Sequence, residues 1–271
     1  MCGRYVNVAS TADLRDEYDV EQVLGNDLAR SWNIAPTDPV RAVMKRRPHG
    51  ESEDEDAPRV RQLRTLRWGL VPGWSRDRRG AAKMINARVE TVTSKPAFKA
   101  AAARRRCLCP AQGYFEWQNT DDGKVPHFLH DPDGGRIAFA GLYEVWRDPA
   151  LAEDDPDRWV WTCTIITRPA ADLLGHIHDR TPVIVPAELQ ESWLDCTGDD
   201  PADAQQILDV VPEPHLQPDV VSAAVGNVRN NGPELIRPVD ASQLYTQERL
   251  PLEEVSEPGT PPRASSRPRR D

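Results

Sequence analysis

Arg106 to Trp146 reads RCLCPAQGYFEWQNTDDGKVPHFLHDPDGGRIAFAGLYEVW and holds four β-rich or alternating runs: Cys107–Pro110, Tyr114–Gln118, Pro126–His130 and Ile137–Trp146. Working outward, similar runs occur at Gly3–Val8, Pro39–Met44, Val60–Leu70, Trp159–Thr167 and Val183–Val185. Helical patterns are fewer. They cover Thr11–Tyr18 after a Ser10 cap, Lys95–Ala103, Ala170–Leu174, and Pro186–Leu194 with Pro in its first turn. Helices scattered among many strands, without regular strand–helix alternation, predict an α+β fold: a mostly antiparallel, barrel-like β-sheet with surrounding helices in a single domain. No internal repeat is visible.

The folded unit is expected to span 1–247. Within it lies an acidic, polar insertion at about 47–58, and a tail of 248–271, rich in Pro, Ser and Arg, reads as disordered. At 271 residues and 39% hydrophobic content the chain has enough apolar material for a core. It has no run of eighteen apolar residues and no basic-then-apolar leader, so the expectation is a soluble, cytoplasmic protein without membrane contact. Its five cysteines are odd in number and scattered, which favours reduced thiols.

A net charge of −9 argues at first against nucleic acid. Its distribution argues the other way. Pro58 to Arg106 carries eleven Arg and three Lys against only Asp77 and Glu90, while acids gather at Glu51–Asp56, Glu153–Asp157 and Asp199–Asp203, which read as solvated loops. A basic segment in an acidic protein fits a nucleic-acid groove; an ordinary solvated face fits it equally well.

Cys2 carries the most specific chemistry. Removal of Met1 leaves a cysteine with a free α-amine, whose pKa of about 7.7–8.0 lies far below the roughly 10.4 of lysine. Such an amine attacks an aldehyde, and the thiol on the same residue closes the resulting imine into a five-membered thiazolidine, extending the logic of activated nucleophiles. The alternative is a small buried residue opening the first strand.

Seven ordered motifs accompany it: Cys2-Gly3-Arg4-Tyr5, Trp32–Thr37 (WNIAPT), Arg67–Trp74 (RWGLVPGW), Asn86–Thr91 (NARVET), Arg106–Ala111 (RCLCPA), Gly113–Trp117 (GYFEW) and His178–Val183 (HDRTPV). In kind and order they resemble the SOS response-associated peptidase family, abasic-site processing proteins with an N-terminal catalytic cysteine, over roughly Cys2 to Leu235. The resemblance implies that Cys2 captures the ring-opened sugar aldehyde of an abasic site in single-stranded DNA as a thiazolidine. It also implies autoproteolytic removal of Met1 and lyase activity, contact with replication-fork proteins and the nucleoid, a monomer, and no cofactor or metal.

It further assigns Cys2, Asn86, Glu116 and His178 to catalysis. Glu116, between Phe115 and Trp117, is a carboxylate whose pKa burial would raise for proton transfer, unless it is a surface strand residue. His178 rather than His176 is expected to serve the sugar oxygen. Asn86 is expected to hold the sugar, its alternative being a turn former. Arg4, Arg88 and Arg180 suit phosphates as fixed cationic forks. Trp68 and Trp74 are candidates for stacking on bases; core burial competes for Trp68, while Trp74 reads as exposed. Thr181 departs from a larger family residue, the Tyr114-Phe115 order varies among relatives, and the acidic stretch before Pro58 is an insertion.

Two other classes compete. A thiol hydrolase would use Cys2, His178 and Glu116 as nucleophile, base and orienter, without needing a free amine. A zinc module would draw on Cys107, Cys109, His176 and His178, but one residue between the cysteines is too few for a structural zinc pair.

Overall fold

Val40, Ala42 and Met44 alternate with residues of the opposite face, and in a computed structural model of the chain they line the inside of a barrel. The structure describes residues 2–48, 58–170 and 175–240. Its strands are β1 (Tyr5–Asn7), β2 (Gln22–Leu24), β3 (Ser31–Ile34), β4 (Pro39–Arg46), β5 (Val60–Trp68), β6 (Asn86–Arg88), β7 (Arg106–Ala111), β8 (Gly113–Thr120), β9 (Gly123–His130), β10 (Ile137–Arg147), β11 (Trp159–Pro169), β12 (Arg180–Pro182) and β13 (Gln217–Val220). The helices are α1 (Thr11–Glu17), α2 (Lys99–Arg104), α3 (Ala187–Leu194) and α4 (Pro201–Val210).

Strands β11, β10, β7, β4 and β5 follow one another by antiparallel pairing. A short parallel seam then joins β5 back to β11, pairing Arg67 with Thr162 and Trp68 with Cys163, and closes the ring. Closure removes the exposed edges that an open sheet would leave. The interior holds Leu66, Trp68, Cys107, Cys109, Phe139, Tyr143, Cys163 and Ile165 at every second position of their strands. Outside, Val43, Leu63, Leu108, Ala140 and Ile166 pack against Ala101, Ala102, Trp193 and Leu208 of the helices. The single α+β domain with a mostly antiparallel barrel is therefore the fold expected from the sequence.

A second sheet, ordered β13-β9-β8-β1-β3, lies across one mouth of the barrel. The chain crosses from β7 into it at Gln112–Gly113. Only glycine fits there, because a Cβ on Gly113 would stand 2.5 Å from the Leu129 carbonyl oxygen and 2.6 Å from the Phe128 ring. Strand β1 pairs with β8 in this sheet, matching Tyr5 to Tyr114, and so brings the start of the chain over the barrel.

Two local expectations change. The Asp199–Asp203 run is no loop: Asp200 accepts a hydrogen bond from the Ala202 amide as an N-cap, Pro201 takes the first turn and α4 follows. The strand expected at Val183–Val185 lies slightly earlier, at Arg180–Pro182, with Ile184 making only an isolated bridge to Phe139. The helix expected over Ala170–Leu174 falls, apart from Ala170, on 171–174, most of the acidic insertion on 49–57, and the tail of 248–271 within 241–271; these ranges lie outside the described residues. No helix among the described residues is long and apolar enough to cross a membrane.

Candidate functional site at the near mouth of the barrel

Cys2 leads into β1 at this mouth and is 0% exposed. Its carbonyl accepts a hydrogen bond from Asn86 Nδ2 at 2.8 Å. Asn86 opens β6, which runs parallel to β11 with Asn86 opposite Ile165, so the amide is held by the barrel wall. The other amide atom, Asn86 Oδ1, is buried without a hydrogen-bond partner among the described residues. A buried acceptor in that state is costly unless something donates to it. Burial pushes the Cys2 thiol well above its usual value, and the charge of Glu116 adds to the rise, so sulfur here carries its proton near neutrality.

Glu116 is buried on β8, two residues after Tyr114. Burial raises its carboxyl to about 7, opposed by the positive charge of the chain's terminal amine and reinforced by Asp179. Directly across the β8–β9 pair stands His127, also buried. Burial lowers the pKa of His127, and its Nδ1 donates to the Val125 carbonyl at 3.1 Å. A neutral imidazole offers Glu116 no counter-charge, which is consistent with a carboxyl able to hold a proton at neutral pH.

His178 precedes β12 and is partly buried. Burial lowers its pKa, as does the terminal amine, while Asp179 pulls the other way. The Arg180 backbone N–H lies 3.0 Å from Nδ1 and donates to it, which in the neutral ring leaves the proton on Nε2. In the imidazolium, Nδ1 would turn donor toward Asp179 Oδ1, 2.9 Å away. His176 sits exposed in the preceding turn.

The expected cationic forks have separate fates. Arg180 grips Glu90 through both nitrogens, at 2.8 and 3.0 Å, and is buried. Arg4 donates to Asn33 Oδ1 at 2.8 Å and to the Val225 carbonyl at 2.9 Å, with its guanidinium 5.9 Å from the Trp117 ring centre. Arg88 is exposed. Trp74 is 68% exposed, whereas Trp68 is 0% exposed, packs edge-on against Tyr5 at 5.2 Å and donates from its indole to the Ile85 carbonyl. In that position Trp68 is a core residue with no face open to a base.

Four residues of this mouth were not singled out from the sequence: Glu90, Asn33, His127 and Thr181 as a hydrogen-bonding group. Thr181 Oγ1 and Tyr114 OH are 2.9 Å apart and tie β12 to β8. Glu90 and Asn33 lay inside the quoted motifs, and pairing each with a neighbouring arginine was the available signal. Cys107 and Cys109 face the barrel interior beside Cys163, and no group of three or more metal-ligating side chains occurs among the described residues.

A closed barrel capped by a second sheet, with a cysteine leading into β1 of that sheet, held by an asparagine beside a buried glutamate and a histidine, defines the class. The chain belongs to the SOS response associated peptidase (SRAP) family, whose profile matches residues 1–228. It is 34% identical over 238 residues to abasic site processing protein YoqW of Bacillus subtilis, covering 87% of this chain and 99% of that one. With abasic site processing protein YedK of Escherichia coli the identity is 31% over 252 residues, covering 88% and 100%. Among solved structures, a protein from Bacteroides thetaiotaomicron superposes with a TM-score of 0.68 at 22% identity, over 88% of this chain and all of that one. A phage-related protein from Bordetella bronchiseptica does so at 0.57 and 26%, over 81% and 94%.

Proposed function

We propose that the protein processes abasic sites in single-stranded DNA by capping them covalently with Cys2. Met1 is first removed by hydrolysis of the Met1–Cys2 amide, which consumes one water and frees the Cys2 amine. The amine adds to the C1′ aldehyde of the ring-opened sugar, and the carbinolamine loses its hydroxyl as water to give an imine. The Cys2 sulfur then bonds to that carbon while its proton passes to nitrogen, closing the thiazolidine. Counted from the Met1-free protein and the aldehyde, one water is lost and nothing is oxidised.

The observation that carries this reading is the grip of Asn86 on the Cys2 carbonyl beside a glutamate whose pKa is raised to about 7. The grip fixes amine and thiol before substrate arrives, a form of pre-paid orientation. The carboxyl gives its proton to the departing hydroxyl and recovers one near neutrality. His178, with its proton on Nε2, serves the sugar oxygen during ring opening, and Asn86 Oδ1 accepts from a sugar hydroxyl. Exposed Arg88 and Trp74 supply phosphate and base contacts.

Mass spectrometry after incubation with an abasic single-stranded oligonucleotide tests it. The expected product is protein lacking Met1 plus the strand, minus one water, with the bond mapped to Cys2. Full adduct formation by protein shown to retain Met1, or no adduct at all, overturns the mechanism.

A further inference from the structure

The opposite mouth of the barrel is lined by a different set of side chains. Arg46, at the end of β4, continues the inward-facing series of Val40, Ala42 and Met44, and Arg64 on β5 lies two residues before inward-facing Leu66. Both guanidinium groups converge on one indole: Arg64 lies 3.7 Å and Arg46 4.9 Å from the centre of the Trp161 ring. Tyr143 stacks on that indole at 5.9 Å.

Other cations around this mouth are answered by the protein. Lys45 pairs with Glu191, Arg104 with Asp199 at 2.6 Å, Arg105 with Glu144 at 2.8 Å, and Arg59 donates to the Cys196 carbonyl at 2.6 Å. Among the described residues, Arg46 and Arg64 have no carboxylate and no hydrogen-bond acceptor. Stacking on an aromatic face stabilises a cation, but leaves all its N–H donors unused and does nothing to separate two like charges. Burial, and then the charge of Arg46, lower the pKa of Arg64, so the pair is held at a cost that an anion would offset.

Two adjoining hollows of about 440 and 400 Å³ share Arg46, Arg47 and Val145 at this mouth. That volume is of the size that holds a small ligand. Trp159, 53% exposed, lines the second hollow and offers an open indole face beside the two forks. Planar cationic forks suit phosphate oxygens, and an exposed indole suits a base.

We propose that the far mouth is a second binding site, taking the phosphate and base of a nucleotide unit against Arg46, Arg64 and Trp159. It is separate from the Cys2 chemistry and stands or falls independently of it. The unit is either a free nucleotide or part of a single strand.

Photolabelling of the full-length wild-type protein distinguishes these sources. One arm uses 5-iodo-dUMP; the other uses a 5′-phosphorylated single strand with one 5-iodouracil and no abasic site. Irradiation followed by peptide mapping is expected to place the label on Trp159 or Trp161. Labelling by the mononucleotide identifies a free nucleotide as ligand, and labelling by the strand alone identifies nucleic acid. No label at the far mouth in either arm overturns the proposal.

The double variant Arg46→Gln, Arg64→Gln is expected to lose at least tenfold of that label at an unchanged melting temperature, and full labelling by this variant overturns it. If the variant does not fold, salt serves on the wild type. Labelling is expected to fall severalfold between 50 and 200 mM salt, because salt screens the attraction of the guanidinium groups for phosphate and, for the strand, binding also releases counterions. Salt-independent labelling overturns the proposal.

Discussion

The two mouths of one barrel use their charged residues in opposite ways. At the Cys2 mouth the buried arginine belongs to the scaffold, since Arg180 is fixed by Glu90, and Arg4 is tied to Asn33 and the Val225 carbonyl. What remains beside Cys2 is a glutamate whose carboxyl burial raises to about 7 and a histidine whose pKa burial lowers. At the far mouth Arg46 and Arg64 have no carboxylate partner among the described residues and stack instead on Trp161. The contrast teaches that positive charge alone does not mark the proposed site in this fold: Arg4 and Arg180 are taken up by Asn33 and Glu90 beside a carboxyl raised to about 7, whereas the stacked guanidinium groups of the far mouth have no acceptor among the described residues.

The strongest way to break this comparison is Cys2→Ser. Heat-stable crosslinking to abasic DNA is expected to vanish entirely, while borohydride still traps an imine through the retained amine. A heat-stable adduct from this variant would remove the thiol from the reaction. Next in size is Glu116→Gln, for which a 10²- to 10⁴-fold fall in crosslinking rate is expected on the scale of general acid catalysis. The wild-type rate should decline as pH rises through about 7, where Glu116 loses its proton, and the variant should lose that step. The same burial links to stability. Because the folded pKa is raised from 4.5, the contribution is full below 4.5 and lost as pH rises through about 7.

Asn86→Ala releases the Cys2 carbonyl, and misplacement by about 1 Å is enough for a slowing of roughly 10²-fold. Single-turnover kinetics at saturating DNA would show it as a slower rate rather than weaker binding. Arg88→Glu should act the other way, weakening capture of the strand about tenfold with little change at saturation, and shallowing the salt dependence. The smallest effect is expected from Glu90→Gln. Its carboxylate is partly exposed, so loss of the bidentate pair should cost about 1 kcal/mol, measured by urea unfolding.

The barrel was legible because its long strands alternate or are β-rich, from Pro39–Arg46 to Trp159–Pro169. Strands β2, β3, β6 and β13 have three or four residues each, too few for a period-two pattern to emerge. Strand β7 is buried on both faces, so RCLCPA shows an apolar run rather than alternation. Helix α4 was hidden because an acidic run looks solvated, although Asp at a cap and in a first turn is what a helix start favours.

At the candidate site, ordered motifs pointed to Cys2, Asn86, Glu116 and His178. For Trp68 they left stacking and core burial equal, and the core takes it; they did not indicate that Arg180 would be taken up by Glu90. The basic stretch from Pro58 to Arg106 fits a groove or a solvated face equally well as a sequence, and folding distributes it. Arg88 goes beside the Cys2 mouth, and Arg59, Arg64, Arg104 and Arg105 go to the other. Linear charge density cannot foresee that division, because it depends on which strands close the ring.

The closing seam has a consequence for how the protein comes into being. It joins β5 to β11 through only two paired positions, between segments separated by a large part of the chain, and contacts of that kind are slow to form because loop closure precedes their reward. Both mouths draw on each side of it: Trp68 and Arg64 come from β5, Ile165 and Trp161 from β11. Both mouths are therefore complete only where the seam is formed, and their geometry depends on two paired positions.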